Sequence, residues 1–252
     1  LIYFSDNGPN SFRWNGGMKA RKGSIDEGGL RSPFFIRWPQ KIQPERTIPQ
    51  ISGAIDLLPT LLDLTGVPLR INKRKPLDGR SLSPLLLGDS GEGEPRSLFS
   101  IKENQVSVRT QKFRLDATGK LFDIESDPGQ RIDIAAQHAE LTAELDLLAK
   151  KHNAAMQRHF KANVNRPFTV GYGVSTTLTA RDGVGHGTIQ RSSKAPNNSF
   201  FTNWTQSDDF ITWNVDIGKT GQYEVIVYYT CASENEGATL QLSITDGAAT
   251  KA

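Results

Sequence analysis

The hydrophobic pattern of this chain changes its period near residue 166, and this change constrains the fold more than any other feature. Over residues 133–160, apolar side chains recur at steps of three and four, which predicts one long amphipathic helix. Over residues 211–215, 223–229 and 240–244, apolar and polar residues alternate, which predicts antiparallel strands. We therefore expect two domains, residues 1–165 and 166–252.

The first of these domains is expected to be α/β. Apolar runs at residues 1–4 and 33–38 predict strands, and the first run is hydrophobic enough to be a buried strand that needs neighbours. Residues 56–66 predict a short core helix with Asp56 as its N-cap. Residues 69–96 predict a surface excursion, and residues 97–125 predict a small antiparallel meander ahead of the long helix.

The second domain is expected to be an all-β, sandwich-like domain, because its alternating runs are separated by glycine-containing turns. Its last strand comes close to residue 252, so the sandwich is expected to be incomplete. The apolar start of the chain likewise suggests an excerpt of a longer protein.

Charge and composition exclude several classes of function. The net charge of +3 arises from 30 basic and 27 acidic residues, a balance too slight to favour nucleic acid or an anionic membrane as partner. No apolar stretch reaches the length of a membrane span. The single cysteine, Cys231, excludes an internal disulfide and a multi-cysteine zinc site.

A polar run, Ser5-Asp6-Asn7-Gly8, follows the first predicted strand. It places a carboxylate and an amide oxygen at a strand's end, where ligands bind in open α/β sheets. Such oxygens suit Ca²⁺ or Mg²⁺ rather than zinc. The same run is also typical of a tight turn without a ligand, and the spacing alone leaves both interpretations open.

A second polar run, residues 22–31, begins with Lys22-Gly23-Ser24 and continues through Glu27-Gly28-Gly29. Its glycines allow close approach of the backbone to a ligand, and its lysine offers a compact cation to an anion. A solvated basic loop is the alternative. Glu27 is expected to hold the glycine-rich turn through backbone contacts rather than to act in acid–base chemistry.

Taken together, these runs resemble the type I sulfatases, the formylglycine-dependent family within the alkaline-phosphatase-like superfamily. Ser5-Asp6-Asn7-Gly8 resembles that family's metal-binding strand end. Residues 22–33 are similar to its Lys-Gly-Ser/Thr…Glu-Gly-Gly-X-Arg-X-Pro run. Further similar runs follow in the family's order: Ile36-Arg37-Trp38-Pro39, residues 56–62, residues 77–82, Leu121-Phe122-Asp123-Ile124 and Asp127-Pro128. The resemblance covers about residues 1–160 and implies part of a sulfatase fold, its C-terminal half.

This resemblance implies a set of roles. Asp6 and Asn7 would be two ligands of an active-site Ca²⁺, and Lys22 would bind a sulfate oxygen. The substrate would be a sulfated glycan or an aryl sulfate. Arg13 and Trp14, between the two runs, would contact the substrate, although a variable surface loop is the alternative interpretation.

One part of the family's machinery is absent from the sequence. The family's formylglycine arises within Cys/Ser-X-Pro-X-Arg, and no such run occurs here; Cys231 precedes Ala-Ser-Glu-Asn. The nucleophile is therefore expected in a missing N-terminal half, and this chain alone is predicted to be inactive. Two alternatives stay open. One is a phosphomonoester or phosphonate hydrolase of the same superfamily, and the other is a non-catalytic carbohydrate-binding protein.

The second domain more loosely resembles the carbohydrate-binding-like sandwiches appended to bacterial sulfatases, which suggests export if the source is bacterial. Trp204 would stack on a sugar, or its ring would simply pack in the core. Asn197 and Asn203 begin glycosylation sequons. His138, His152 and His159 are spaced too widely along a helix to share a metal, and His186 stands alone.

Overall fold

The computed structural model of the chain describes residues 1–69, 76–88, 93–163, 166–193 and 199–245. The chain divides into two compact units, Leu1–Val164 and Asn165–Ala252. Among the described residues, no helix is both long enough and apolar enough to cross a membrane.

The first unit opens on a two-stranded sheet. Strand β1 (Ile2–Phe4) is followed by helix α1 (Glu27–Leu30) and strand β2 (Phe34–Ile36), and the two strands pair antiparallel with Ile2 opposite Ile36. Both strands occur where the sequence predicts them. The expectation of burial for residues 1–4 is wrong, since Leu1 is 87% exposed. No third strand pairs with these two within the described residues, and Ile36 is their contact with the core of Leu64, Leu82 and Leu86.

Two helices form the first of two small cores. Helix α2 (Leu57–Thr65) ends at Gly66, whose φ of 69° is the left-handed conformation that glycine adopts most easily. Helix α3 (Ser83–Leu87) packs against it. The buried side chains are those of Leu64, Leu82 and Leu86. The prediction of a surface excursion is therefore wrong for residues 82–86, while residues 70–75 and 89–92 lie outside the described part.

Asp56 is buried just before α2, but its carboxylate does not cap that helix. Instead it accepts hydrogen bonds from the backbone N–H groups of Gly53 (2.9 Å) and Arg80 (2.8 Å). It also pairs with the buried guanidinium of Arg96 at 2.9 Å. Asp56 thus occupies the predicted N-cap position, but its carboxylate joins the turn before α2 to residues 80 and 96 instead of capping the helix.

The second core of the unit lies between a meander and a long helix. Strands β3 (Leu98–Lys102), β4 (Gln105–Arg109), β5 (Phe113–Leu115) and β6 (Leu121–Asp123) pair antiparallel in that order, which confirms the predicted meander. Helix α4 (Ala139–Asn163) packs on β3, β4 and β5 and confirms the predicted helix. Their buried apolar side chains are Val108, Leu115, Leu121, Leu145 and Ala149.

The rings of His152, on α4, and His138, just before it, pack against aromatic rings of the meander. The His152 ring stacks on Phe99 with centroids 4.1 Å apart, and the His138 ring lies 5.5 Å from that of Phe113. Burial lowers the pKa of His152. These ring contacts hold α4 and the residues before it against the meander.

In the part of the second unit that the structure describes, six short strands occur: β7 (Phe168–Val170), β8 (Val184–His186), β9 (Gln190–Arg191), β10 (Phe201–Thr202), β11 (Phe210–Thr212) and β12 (Val215–Ile217). They form three separate pairs: β7 with β12 in parallel, and β8 with β11 and β9 with β10 in antiparallel orientation. Over residues 166–193 and 199–245 these pairs do not join into a sandwich.

The strands predicted at residues 223–229 and 240–244 are not formed. The structure describes these residues, and it gives them no strand and largely exposed side chains. Alternation predicts a strand only when a neighbouring strand is available to complete the ladder. No such neighbour reaches these segments among the described residues.

Asp209 closes a loop of the second unit through its buried carboxylate. The carboxylate accepts hydrogen bonds from the backbone N–H groups of Thr188 (2.6 Å), Thr205 (2.9 Å) and Gln206 (2.9 Å). Burial opposes ionisation, but these donors prevail and lower the pKa of Asp209 to about 2. The ionised carboxylate is therefore part of the loop's structure.

This lowered pKa predicts an acid-sensitive loop. The stabilisation by Asp209 is complete above the ordinary pKa of 3.8 and is lost as the pH falls toward about 2. We expect Asp209→Asn to speed hydrogen exchange of the amides of Thr188, Thr205 and Gln206 at neutral pH. The difference from the parent chain should shrink over that acid range. The exposed neighbour Asp208→Asn is the control, and equal effects of the two substitutions would contradict the assignment.

Candidate functional site

Asp6 and Asn7 lie just after β1, in the polar run for which the sequence left two interpretations open: a metal site or a tight turn. The Asp6 side chain is exposed and that of Asn7 is partly buried. Within the described residues, neither side chain has a hydrogen-bond or ion-pair partner. Two oxygen-bearing groups thus follow a strand end with no side-chain partner in the part of the chain that the structure describes.

The glycines around this turn allow two backbone segments to touch. The N–H group of Gly8 donates to the carbonyl of Gly29 at 2.9 Å. A Cβ at Gly8 would overlap the carbonyl of Gly28, and a Cβ at Gly28 would overlap the carbonyls of Lys19 and Ala20. The Glu-Gly-Gly sequence therefore permits α1 to pack directly against the Asp6–Asn7 turn.

The backbone of Lys22 is hydrogen-bonded close to the Asp6–Asn7 turn. Its N–H group donates to the carbonyl of Pro9 at 2.9 Å, and Arg21 Nη1 donates to the carbonyl of Asn10 at 3.0 Å. The Lys22 side chain is exposed, and its ammonium has no partner among the described residues. The backbone of Lys22 is thus bonded two residues after Asn7, while its ammonium contacts none of the side chains that the structure describes.

Two depressions on the described surface lie away from these residues. One of 590 Å³ is lined by residues of α2 and α3, including Leu62 and Leu87. Another, of 230 Å³, lies beside Asp123 and His138. Neither is lined by the residues predicted as the site.

Arg13 and Trp14 lie on the loop that the Lys22–Pro9 and Arg21–Asn10 hydrogen bonds close at its base. Trp14 is 81% exposed, and the guanidinium of Arg13 has no partner within the described residues. The loop's packing comes instead from the neighbouring Phe12 ring, which lies 5.0 Å below the Arg21 guanidinium. The two predicted substrate contacts thus project into solvent from a loop that begins and ends beside the predicted site.

Glu27 is buried beneath this surface, and its contacts differ from the predicted ones. Its backbone N–H donates to Gln130 Oε1 at 2.9 Å, but its carboxylate pairs with two arginines of the meander. Arg114 Nη2 lies 2.7 Å and Arg109 Nε 3.3 Å from Glu27 Oε2. The expected structural role is found, but side-chain ion pairs, and not backbone contacts alone, hold the turn.

Sequence reasoning missed Arg114, Arg109 and Gln130, because no spacing links positions about a hundred residues apart. One signal was present: Arg114 interrupts the apolar strand run Phe113-Arg114-Leu115. A charged residue inside such a run indicates a buried pair, since a buried charge requires a partner.

The donor set at the turn suits calcium. Asp6 and Asn7 offer only oxygen atoms, the ligands that calcium prefers, and calcium takes about six to eight of them. No group of three or more histidine, cysteine, aspartate or glutamate residues arranged for a metal occurs among the described residues. The chain's residues therefore fit part of a calcium site, and further ligands would have to come from outside them.

The remaining candidates lie in the second unit. Cys231 is exposed and unpaired. Trp204 is 47% exposed, and its indole N–H donates to the carbonyl of Asp209 at 3.0 Å, so half of the ring faces solvent. His186 stacks on Phe210, with ring centroids 4.2 Å apart. Asn203 is described, whereas Asn197 lies outside the described residues.

Comparison with known proteins points to one family. The sulfatase family model matches residues 1–67. Human arylsulfatase A is 31% identical over 182 residues, which cover 58% of this chain and 35% of that protein. Mouse steryl-sulfatase is 26% identical over 208 residues, covering 62% of this chain and 33% of that protein. A sulfatase of Formosa agariphila is 27% identical over 177 residues, which cover 61% of this chain and 31% of that protein.

Solved structures agree with this relationship. The structure of Ps i-CgsB in complex with k-i-k-neocarrahexaose superposes with a TM-score of 0.51 at 25% identity. The match covers 60% of this chain and 36% of that one. The chain thus spans about a third of the length of the relatives that it matches.

Proposed function

Because its first unit belongs to the sulfatase family, we propose that this chain is part of a hydrolase of sulfate esters. The observation that carries the proposal is the junction of two segments inside the family match. The Gly8–Gly29 and Lys22–Pro9 hydrogen bonds hold the Asp6–Asn7 turn against the segment that bears Lys22. These two hydrogen bonds support the proposal that the side-chain oxygens of Asp6 and Asn7 and the ammonium of Lys22 act at one site.

In this proposal, Asp6 and Asn7 hold a calcium ion together with ligands from outside the described residues. When bound, the ion supplies a fixed positive charge for the oxygens of the sulfate group. Lys22 donates a hydrogen bond to a sulfate oxygen and stabilises the negative charge that grows as the S–O bond breaks.

The nucleophile is proposed to be a formylglycine that lies outside this chain, since no Cys/Ser-X-Pro-X-Arg run occurs in its sequence. Residues 1–252 would then supply charge stabilisation and part of the metal site. This chain alone is proposed to be inactive.

The proposed substrate is a sulfated glycan or an aryl sulfate. A glycan is supported by the structural relative that was solved with an oligosaccharide bound. Arg13 and Trp14 are proposed to meet the substrate, because both are exposed on the loop whose base is Lys22. Guanidinium and indole groups suit sulfate oxygens and sugar faces respectively.

Residues 166–252 are proposed to be a separate module. Its half-exposed Trp204 ring, held by the hydrogen bond to Asp209, is proposed as a surface on which a sugar stacks. The first domain expected from the sequence, residues 1–165, is proposed to carry the chemistry.

The test is a direct comparison of two esters with the complete protein that carries this sequence. Nitrophenyl sulfate and nitrophenyl phosphate are supplied separately, and released sulfate and phosphate are measured. We expect sulfate release that calcium chelation abolishes, and no release by residues 1–252 alone. Faster phosphate release would replace the proposal by a phosphomonoesterase. Absence of both activities, together with absence of calcium binding, would favour a non-catalytic carbohydrate-binding protein.

A further inference from the structure

The segment that bears Lys22 contains a buried carboxylate, that of Glu27, which takes no part in the proposed reaction. Glu27 is 3% exposed, and its carboxylate meets the guanidinium of Arg114, which is 4% exposed. Arg114 donates from Nε at 3.0 Å and from Nη2 at 2.7 Å to the same oxygen, Glu27 Oε2. Burial of such a pair costs desolvation energy unless its hydrogen bonds are complete, so its position calls for a physical explanation.

Arg114 also holds the backbone of the segment. Its Nη1 donates to the carbonyl of Ile25 at 3.2 Å and to Ser107 Oγ at 3.0 Å. Ser107 Oγ in turn donates to the carbonyl of Ile25 at 2.7 Å. One carbonyl, three residues after Lys22, is thus fixed by two side chains of the meander.

The neighbouring residues are fixed from the same sheet. Lys102 Nζ, at the end of β3, donates to the carbonyl of Gly23 at 2.6 Å. Lys19 Nζ lies 3.2 Å from Asp26 and 3.4 Å from Asp116, on the turn after β5. Although burial opposes it, contact with these two carboxylates raises the pKa of Lys19. The sheet therefore holds the segment on both sides of Lys22.

Lys22 is the exception within this segment. Its backbone N–H is bonded to Pro9, but its ammonium contacts no partner among the described residues. A rigidly held backbone that carries one free cation is the arrangement expected for a preorganised binding group, because misplacement by 1 Å costs about 10²-fold in rate.

We infer that the buried Glu27–Arg114 pair is a positioning device, which sets the place of the Lys22 ammonium by attaching residues 23–27 to the four-stranded meander. This inference rests on the proposed sulfatase function for its effect on rate, but the attachment itself does not. Glu27 and Arg114 touch no substrate and are positioning residues.

The first test measures kinetics in the complete protein with nitrophenyl sulfate. Arg114→Met should lower kcat by about 10- to 100-fold with a smaller change in KM. In a Lys22→Ala background the same substitution should add little further loss, because the group that it positions is already gone. Lys112→Met is the matched control: it removes an exposed ion pair with Asp123 on the same sheet and should leave kcat unchanged. Independent, additive losses for R114M and K22A would overturn the inference.

The second test follows hydrogen exchange and does not depend on catalysis. R114M should speed exchange of the Ser24 and Gly28 amides, which are bonded to Arg21 and Lys19, while amides of β3 to β6 stay protected. Unchanged exchange at residues 22–28 would overturn the attachment. If R114M also unfolds the meander, Glu27→Gln, which keeps the shape and one acceptor, is measured in its place. An inactive parent protein with the expected exchange pattern would refute the sulfatase function and leave the attachment standing.

Discussion

Replacing Lys22 with alanine is expected to lower kcat for an aryl sulfate by about 10²- to 10³-fold in the complete protein. The reason is that a fixed cation stabilises the charge that develops in the transition state, and water replaces it poorly. Because the Lys22 ammonium is exposed and has no partner among the described residues, its loss removes no contact of the fold. The thermal unfolding temperature should therefore stay unchanged while the rate falls.

Two variants sharpen this result. Lys22→Arg keeps the charge but not the compact shape of the ammonium, so it should recover only part of the rate. Lys151→Ala removes an exposed lysine of α4 and should change neither rate nor stability. A loss of rate for K22A that is matched by an equal loss of stability would contradict a role in charge stabilisation.

Replacing Asp6 with alanine is expected to abolish most calcium binding and, with it, the calcium-dependent activity. A ligand that binds only the folded protein at 100 times its Kd stabilises that protein by about 2.7 kcal/mol. The parent protein should show a gain of this size in its free energy of unfolding, and the Asp6→Ala variant should show much less. Calorimetric titration with calcium and unfolding with and without chelator measure both quantities.

Comparing the parent protein and the Asp6→Ala variant without calcium checks that the substitution does not itself destabilise the fold. Since the Asp6 carboxylate is exposed and unpaired within the described part of the chain, its removal should leave the stability without calcium unchanged. Asp63→Ala, at an exposed aspartate of α2, should retain the full calcium effect. Equal calcium stabilisation of the parent and D6A would show that the turn after β1 is only a turn.

Short-range sequence patterns correctly predicted two elements of the first unit, the four-stranded meander and helix α4. The meander and α4 follow from short-range signals, which are the turn residues 117–120 and the helical spacing of Leu141, Leu145 and Leu148. Both signals agree with the packing that the elements find, so propensity and tertiary structure support the same result. The Asp6–Asn7 and Lys22 segments were predicted as a pair by their family resemblance and not by their spacing.

Non-local contacts escaped prediction. The pair between Glu27 and Arg114 joins positions 87 apart in sequence, and nothing in either local run specifies the other. The alternation at residues 223–229 failed for the opposite reason: the local pattern fits a strand, but strand formation also requires a neighbour, and none is present within the described residues. Local patterns indicate which backbone states are available, while partners decide which one forms.

The β1–β2 pair has a practical consequence for anyone who handles the isolated chain. Four of its aromatic side chains, those of Tyr3, Phe4, Phe34 and Phe35, are exposed, and each strand has an unpaired edge within the described residues. Open edges of this kind recruit strands from other molecules. We therefore expect the isolated chain to self-associate as its concentration rises, which limits the concentration at which it can be handled.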